Sequence, residues 1–261
     1  MVTIMIRIHE YERLKYDIVR WLKDYYWMHN IKCFVVGVSG GIDSAVVSTL
    51  CAETGLPTYV VCLPLLSTHQ NSKLSENHAK RLAEKYENVT QIFVELSSVY
   101  EQFNHSVEWW SDAHGHGKKT FTSDELANAN TKARLRMLTL YQIAGAKNGI
   151  VVGTGNKVED YGVGFFTKYG DGAVDIAPIA DLYKSEVWEL GEYLEVDQAI
   201  VDAPPTDGLW DDQRTDEDQL GATYEQLEEA MENGTGPGVD VLKYYNEKNQ
   251  HKMQPIPTFK L

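Results

Sequence analysis

The stretch FVVGVSGGIDSAVV, residues 34–47, sets Ser39, Gly40, Gly41, Asp43 and Ser44 between an apolar run and a helical pattern. Paired glycines let a backbone turn sharply and come close to a ligand. Successive N–H groups at a helix N-terminus cradle an anion, and two serine hydroxyls add donors. The expected ligand is a phosphate. Asp43 would repel a bare phosphate, so its place here implies Mg2+ bridging it to phosphate oxygens. The spacing is neither the GxxxxGK[ST] of a P-loop nor the GxGxxG of a dinucleotide fingerprint. A glycine-rich turn with Asp43 as a partner of the helix dipole is the plainer alternative.

A second glycine turn, GTGNKVED (153–160), follows another apolar run, IVVGT. It carries Glu159. Two carboxylates converging on phosphates suit Mg2+, which takes few protein ligands beside substrate oxygens. A solvated acid at a helix start is the other reading of Glu159. Lys184 begins the helical stretch KSEVWELGEYL. A lysine there opposes the helix dipole, and that misfit favours a phosphate role. Arg134 and Arg136 stand two apart on a helical pattern and point in different directions. On residue type alone they are a solvated helix face. Likewise Phe165 and Phe166 could be core, Thr206 in PPTDG a turn residue, Asp171 in YGDG a turn acid, and His251 with Lys252 a frayed tail.

These residues need a scaffold that brings strand ends together. Residues 8–29 place Tyr11, Leu14, Ile18, Trp21, Leu22 and Tyr25 at helical spacing. CFVVGV, PTYVVCLPL, TQIFVEL, GIVVGTG and GAVDIAPIAD read as five strands, with helices between them and a long one from about Asp124 to Ala146. Unbroken apolar strands suit a parallel sheet covered on both faces. The expected fold is therefore α/β and doubly wound: a mostly parallel five-stranded sheet with helices on both faces, in a single domain over residues 1–261. Ligands in such sheets bind beyond the carboxyl ends of the strands, where both glycine turns fall. The polar segment 111–123 and the acidic segment 202–221 adjoin those ends and are expected to be mobile lids. Residues 245–261 read as a C-terminal tail.

The chain has 261 residues, 43% of them hydrophobic, and a formal charge of −14. That charge argues against nucleic acid or an anionic membrane as the main partner. The opening residues are too charged for a signal peptide, and no apolar run approaches the roughly 20 residues of a membrane span. Cys33, Cys51 and Cys62 form no CxxC pair, so neither a zinc site nor a disulfide framework is indicated. Buried thiols in a reducing cytoplasm are expected.

SGGIDS resembles the SGGxDS pyrophosphate loop of the N-type ATP pyrophosphatases. NTKARLRM (130–137), VGTGNKVEDYGVGFFTKYGDGAVDIAPIADLYKSEV (152–187), PPTDGLWDDQRTDEDQLG (204–221) and HKMQPIP (251–257) occur in the order found in ammonia-dependent NAD synthetases. The resemblance runs from the first helix onward, and GFFTKYGDG is its most specific phrase. It implies an adenine nucleotide alpha hydrolase-like fold. It also implies ATP-dependent amidation of deamido-NAD with ammonia, through an adenylated intermediate. A fused glutaminase domain would need roughly 250 further residues, so free ammonia, or ammonia delivered by another protein, is the expected nitrogen source.

The resemblance carries the remaining roles. ATP would bind Gly37, Val38, Ser39, Gly40, Gly41, Ile42, Asp43, Ser44, Arg136, Thr154, Lys184 and Thr206. Deamido-NAD would bind Arg134, Phe165, Lys168, Asp175, His251 and Lys252. Mg2+ would sit on Asp43 and Glu159. Asp171 would take the ammonium proton and Lys184 would assist catalysis. Met253 stands where the family often has an arginine. The family is a homodimer, and the aromatic stretch YDIVRWLKDYYW of the first helix is compatible with an interface. Two rivals share the loop: another ATP pyrophosphatase, or a nucleotide sensor without catalysis. A sensor needs the phosphate cradle but not the Asp43 and Glu159 pair.

Overall fold

The computed structural model describes residues 11–66, 69–113, 121–206, 208–210 and 214–260. The first element is helix α1 (Tyr11–Met28). Tyr11, Ile18, Leu22 and Tyr26 form its buried stripe, which lies against α2 and α6. Strand β1 (Phe34–Val38) follows, then helix α2 (Ile42–Glu53). Next come β2 (Thr58–Cys62), α3 (His69–Lys85), β3 (Val89–Phe93) and α4 (Ser97–Ala113). The long helix α5 (Glu125–Lys147) is capped at its start by Asp124, whose carboxylate accepts the Ala127 N–H. At its end Asn148 adopts the left-handed conformation. Strand β4 (Ile150–Val151) is short. A wide π-type turn spans Lys157–Val163. The helices α6 (Lys184–Tyr193), α7 (Gln198–Val201), α8 (Asp216–Leu220), α9 (Tyr224–Asn233) and α10 (Val239–Met253) complete the chain.

The strands form one parallel sheet in the order β3-β2-β1-β4. Phe34, Val36, Val46, Val47 and Leu50 pack with Leu22 and Leu190 on one face. Val35, Val61, Met137, Leu140 and Val151 pack on the other. The sheet is thus covered on both sides, which explains the unbroken apolar strands.

The described sheet has four strands, not five. The stretch GAVDIAPIAD contributes only an isolated parallel bridge, Val152 to Ile176. The Val151 N–H donates to the Asp175 side chain at 2.7 Å rather than to a strand carbonyl. Pro178, two residues on, has no N–H to offer a ladder.

The segment read as a tail begins inside α10, which holds its helix to Met253. Of the two expected lids, residues 111–113 close α4 and 216–220 form α8, while 114–120, 207 and 211–213 lie outside the described residues. All three cysteines are free and buried. Among the described residues no helix is long and apolar enough to cross a membrane.

Candidate active site

The β1–α2 turn is held by its own hydroxyls. The Ser39 N–H donates to Ser44 Oγ at 3.1 Å, the Gly41 N–H to Ser39 Oγ at 3.2 Å, and Ser44 Oγ to the Gly41 carbonyl at 3.0 Å. Gly40 has φ +95°, a conformation that a side chain would strain. Asp43 lies in the first turn of α2 and points into a cavity of about 660 Å3 beyond the strand ends.

The second turn faces the first because β4 pairs with β1. Asn156, fully buried, organises it. Its Oδ1 accepts the N–H groups of Val158 and Glu159, both at 3.1 Å, and so caps the turn that carries Glu159. Its Nδ2 donates to Asp43 Oδ1 at 3.0 Å. One amide thus orients both carboxylates. Gly155 is required beside them, because a Cβ there would lie 2.1 Å from Asp160 Oδ2.

Lys184 enters from the start of α6, only 2% exposed. Its Nζ donates to Asp43 Oδ2 at 2.6 Å and Glu159 Oε1 at 2.9 Å. Burial works against its charge, but the two carboxylates outweigh it and hold the ammonium protonated. Burial pushes the Asp43 carboxyl up, against the pull of Lys184. For Glu159 burial acts in the same sense but is outweighed by Lys184 and Tyr224, leaving its carboxyl below the usual range. Tyr224, at the start of α9, places its hydroxyl 2.6 Å from Glu159 Oε1 and 3.1 Å from Asp216 Oδ2.

Asp160 lines the same cavity, where burial and then the charges of Glu159, Asp171 and Asp43 raise its carboxyl to about 8. Among the described residues no group of three or more His, Cys, Asp or Glu side chains is set to hold a metal. The donor set is instead a carboxylate pair with a cation between its members, in a cavity that also holds a phosphate-type loop. That arrangement fits Mg2+ completed by substrate oxygens.

The expected site residues converge on this cavity: Gly37 to Ser44, Arg134, Arg136, Thr154, Glu159, Phe165, Lys168, Asp171, Lys184, Thr206, His251 and Lys252 all line it. Asp175 is the exception. Its two oxygens accept from the Tyr141 hydroxyl and the Val151 N–H, which fixes it to the sheet edge.

Unlike Lys184, several other cations of the cavity donate to main-chain carbonyls. Arg134 donates to the Lys168 carbonyl, Arg136 to that of Leu63, Lys168 to that of His251 and Lys252 to that of Phe166. Lys132 donates to the Leu209 carbonyl and so ties α5 to the 202–221 segment. Asp171 Oδ1 accepts the Thr167 N–H at 3.1 Å.

Sequence reasoning missed Asn156, Asp160, Asp216 and Tyr224. Asn156 carried a signal, since Asn three residues before Glu is a capping pattern. Tyr224 carried none, because 65 residues separate it from Glu159.

A parallel doubly wound sheet, a glycine–serine phosphate loop and a buried lysine between two half-buried carboxylates beyond the strand ends define a nucleotide-binding α/β enzyme. More narrowly, the chain belongs to the NAD synthase family, whose model matches residues 14–255. It is 37% identical over 241 residues to the NH(3)-dependent NAD(+) synthetase of Carboxydothermus hydrogenoformans, covering 90% of this chain and 92% of that one. The structure of the NMN synthetase from Francisella tularensis is similar at TM-score 0.85 and 34% identity, covering 96% and 99% of the two chains. The NH3-dependent NAD synthetase from Campylobacter jejuni is similar at TM-score 0.71 and 25% identity, covering 96% and 99%.

Proposed function

We propose that the chain is an ammonia-dependent NAD synthetase. It uses ATP and ammonia to amidate nicotinic acid adenine dinucleotide, giving NAD, AMP and pyrophosphate in the last step of NAD biosynthesis. The observation that carries this reading is the meeting of the phosphate loop, the Asp43–Lys184–Glu159 constellation and the GFFTKYGDG segment in one cavity.

The chemistry follows from the leaving group. A carboxylate does not yield to ammonia, so its oxygen first attacks the α-phosphorus of ATP and pyrophosphate departs. The loop of residues 39–44 would receive that pyrophosphate by exchanging its internal hydroxyl bonds for phosphate oxygens, and Lys184 would donate to phosphate oxygens. Asp43 and Glu159 would hold Mg2+, which when bound neutralises phosphate charge. Ammonia then attacks the acyl carbon and AMP leaves. Asp171 takes the proton that ammonium must lose before it can attack. Phe165 packs beside the pyridine ring, and Arg134, Lys168, His251 and Lys252 serve the substrate's phosphates. Arg136, Thr154 and Thr206 serve ATP. The 202–221 segment, tied down through Lys132, excludes water from the adenylate.

A homodimer is part of this reading. Helix α1 leaves Tyr16, Trp21, Trp27 and Met28 exposed, and α4 and α5 leave Val99, Phe103, Leu126 and Leu138 exposed, which supplies apolar faces for a second copy. Light scattering on the purified chain measures it. A cytoplasmic setting accords with three free, buried thiols.

A second reading keeps the chemistry and shortens the acceptor to nicotinic acid mononucleotide. The higher structural likeness to the NMN synthetase than to the C. jejuni enzyme favours it. One experiment separates the two. The chain is incubated with ATP, Mg2+ and ammonium plus either the dinucleotide or the mononucleotide acid, and AMP is measured with the amide. Matched AMP and NAD support the first reading, and matched AMP and NMN the second. Neither amide, with ATP still bound, sinks both. Asp43→Asn should lose turnover while keeping part of the nucleotide affinity, an outcome that a mere sensor would not give.

A further inference from the structure

The Tyr224 side chain reaches both Glu159 and Asp216 of the acidic 202–221 segment. Its ring is buried, 2% exposed, and stands edge-on to Trp188 with centroids 5.9 Å apart. Its hydroxyl lies 2.6 Å from Glu159 Oε1 and 3.1 Å from Asp216 Oδ2. Its N–H donates to Glu217 Oε1 at 2.9 Å. The phenol has one proton to donate, and the shorter contact gives it to Glu159, while the main-chain N–H ties Tyr224 to α8 through Glu217. The ring position is fixed by packing, so the hydroxyl has little freedom to move away.

We propose that Tyr224 is a positioning residue: its hydroxyl fixes Glu159 in the orientation that captures the divalent cation, and links that capture to the docking of α8. This rests on the reading that Asp43 and Glu159 hold the cation. The physical ground is that a carboxylate with a free torsion must lose that freedom when it binds metal, whereas one already held by a hydrogen bond does not. The Tyr224 hydroxyl and the Lys184 ammonium both donate to Oε1, which fixes the carboxylate from that side. The phenol is neutral, so it orients the carboxylate without competing as a charge, which Lys184 cannot do. Tyr224 touches no reacting atom, and its effect must pass through Glu159.

The probe is Mn2+, titrated by electron paramagnetic resonance into the full chain with a non-cleavable ATP analogue bound. Tyr224→Phe keeps the ring and its packing against Trp188. The expected result is Mn2+ affinity lowered about tenfold, in the range for loss of an outer partner of a metal ligand. Affinity for the analogue without metal stays unchanged. In turnover, the Mg2+ concentration for half-maximal rate rises by a similar factor, while excess Mg2+ restores kcat. 3-Fluorotyrosine at position 224 keeps the hydroxyl and retains wild-type Mn2+ affinity.

Unchanged Mn2+ affinity in Tyr224→Phe overturns the proposal. So does an equal fall in metal-free nucleotide affinity, which marks general damage to the pocket, and so does a fluorotyrosine protein that behaves like Tyr224→Phe. Glu159→Gln separates the two levels. If it leaves Mn2+ binding intact, the metal assignment itself fails and the proposal falls with it. If it abolishes binding while Tyr224→Phe does not, only the Tyr224 proposal falls.

Discussion

The Lys184 ammonium stands 2.6 Å from Asp43 and 2.9 Å from Glu159, so it bridges the two carboxylates expected to hold a divalent cation. A buried pair of like charges persists only with a positive partner between its members. Lys184→Met removes that partner. We expect a loss of about 3 kcal/mol or more in unfolding free energy without metal, with part of it regained in saturating Mg2+. Urea denaturation with and without Mg2+ measures both. Equal losses in the two conditions would mean that the metal does not share the lysine's place.

Asn156 performs two tasks that can be separated. Asn156→Ala removes the cap on the turn bearing Glu159 and the donor to Asp43, and should destabilise the chain by about 2 kcal/mol. Asn156→Ser keeps a capping oxygen but cannot reach Asp43. It should recover most of the stability while turnover stays depressed. Thermal melts beside steady-state rates decide this. A serine variant with normal turnover would show that the Asp43 contact is dispensable.

Asp171→Asn retains an oxygen for the Thr167 N–H but cannot take a proton. Turnover should drop about 100-fold at neutral pH. The deficit should shrink as pH rises, because more of the ammonium pool is already free ammonia. A deficit independent of pH would remove Asp171 from the proton path.

His78 gives a pH dependence remote from the chemistry. Ser48 Oγ donates to the Ser44 carbonyl at 2.7 Å, so the contact of Ser48 Oγ with His78 Nε2 at 3.0 Å needs the proton on Nε2. Among the described residues Nδ1 is then a buried acceptor with no hydrogen-bond partner. Burial, reinforced by Arg81, lowers this histidine from 6.5 to about 4. The unfolded chain binds the proton below pH 6.5 and the folded one does not. Stability is therefore fully present above pH 6.5 and is lost as pH falls toward 4, by roughly 3 kcal/mol from this group. His78→Gln offers Ser48 a donor that does not titrate, and should flatten the curve between pH 6.5 and 4. Denaturation midpoints across that window test it; an unchanged slope would count against the assignment.

The parts of this molecule that were legible in the sequence are those whose cause is local. A phosphate loop is written by adjacent residues, since Gly40 supplies the positive φ and Ser39 and Ser44 the internal hydroxyl bonds. Strands β1 and β2 are apolar because both faces of the sheet are covered there, and that pattern needs no partner to read. The last expected strand failed for a reason that periodicity does not encode: the Asp175 side chain takes the Val151 N–H. The same contact holds Asp175 away from the cavity. Asp43 and Lys184 were legible as misfits, an acid beside a phosphate loop and a lysine at a helix start. Tyr224 and Asp216 come from segments that meet the site only after the chain has folded.

The carbonyl partners of the cavity's cations have a consequence for timing. Arg134, Lys168 and Lys252 are each fastened to the main chain of another segment, at Lys168, His251 and Phe166. A neutral carbonyl is a weaker acceptor than a phosphate oxygen. Each such bond is thus a latch that an arriving anion can open. Phosphates bound by these three side chains, as proposed, would therefore also release the backbone they hold, so that recognition of charge and rearrangement of the walls would be one event.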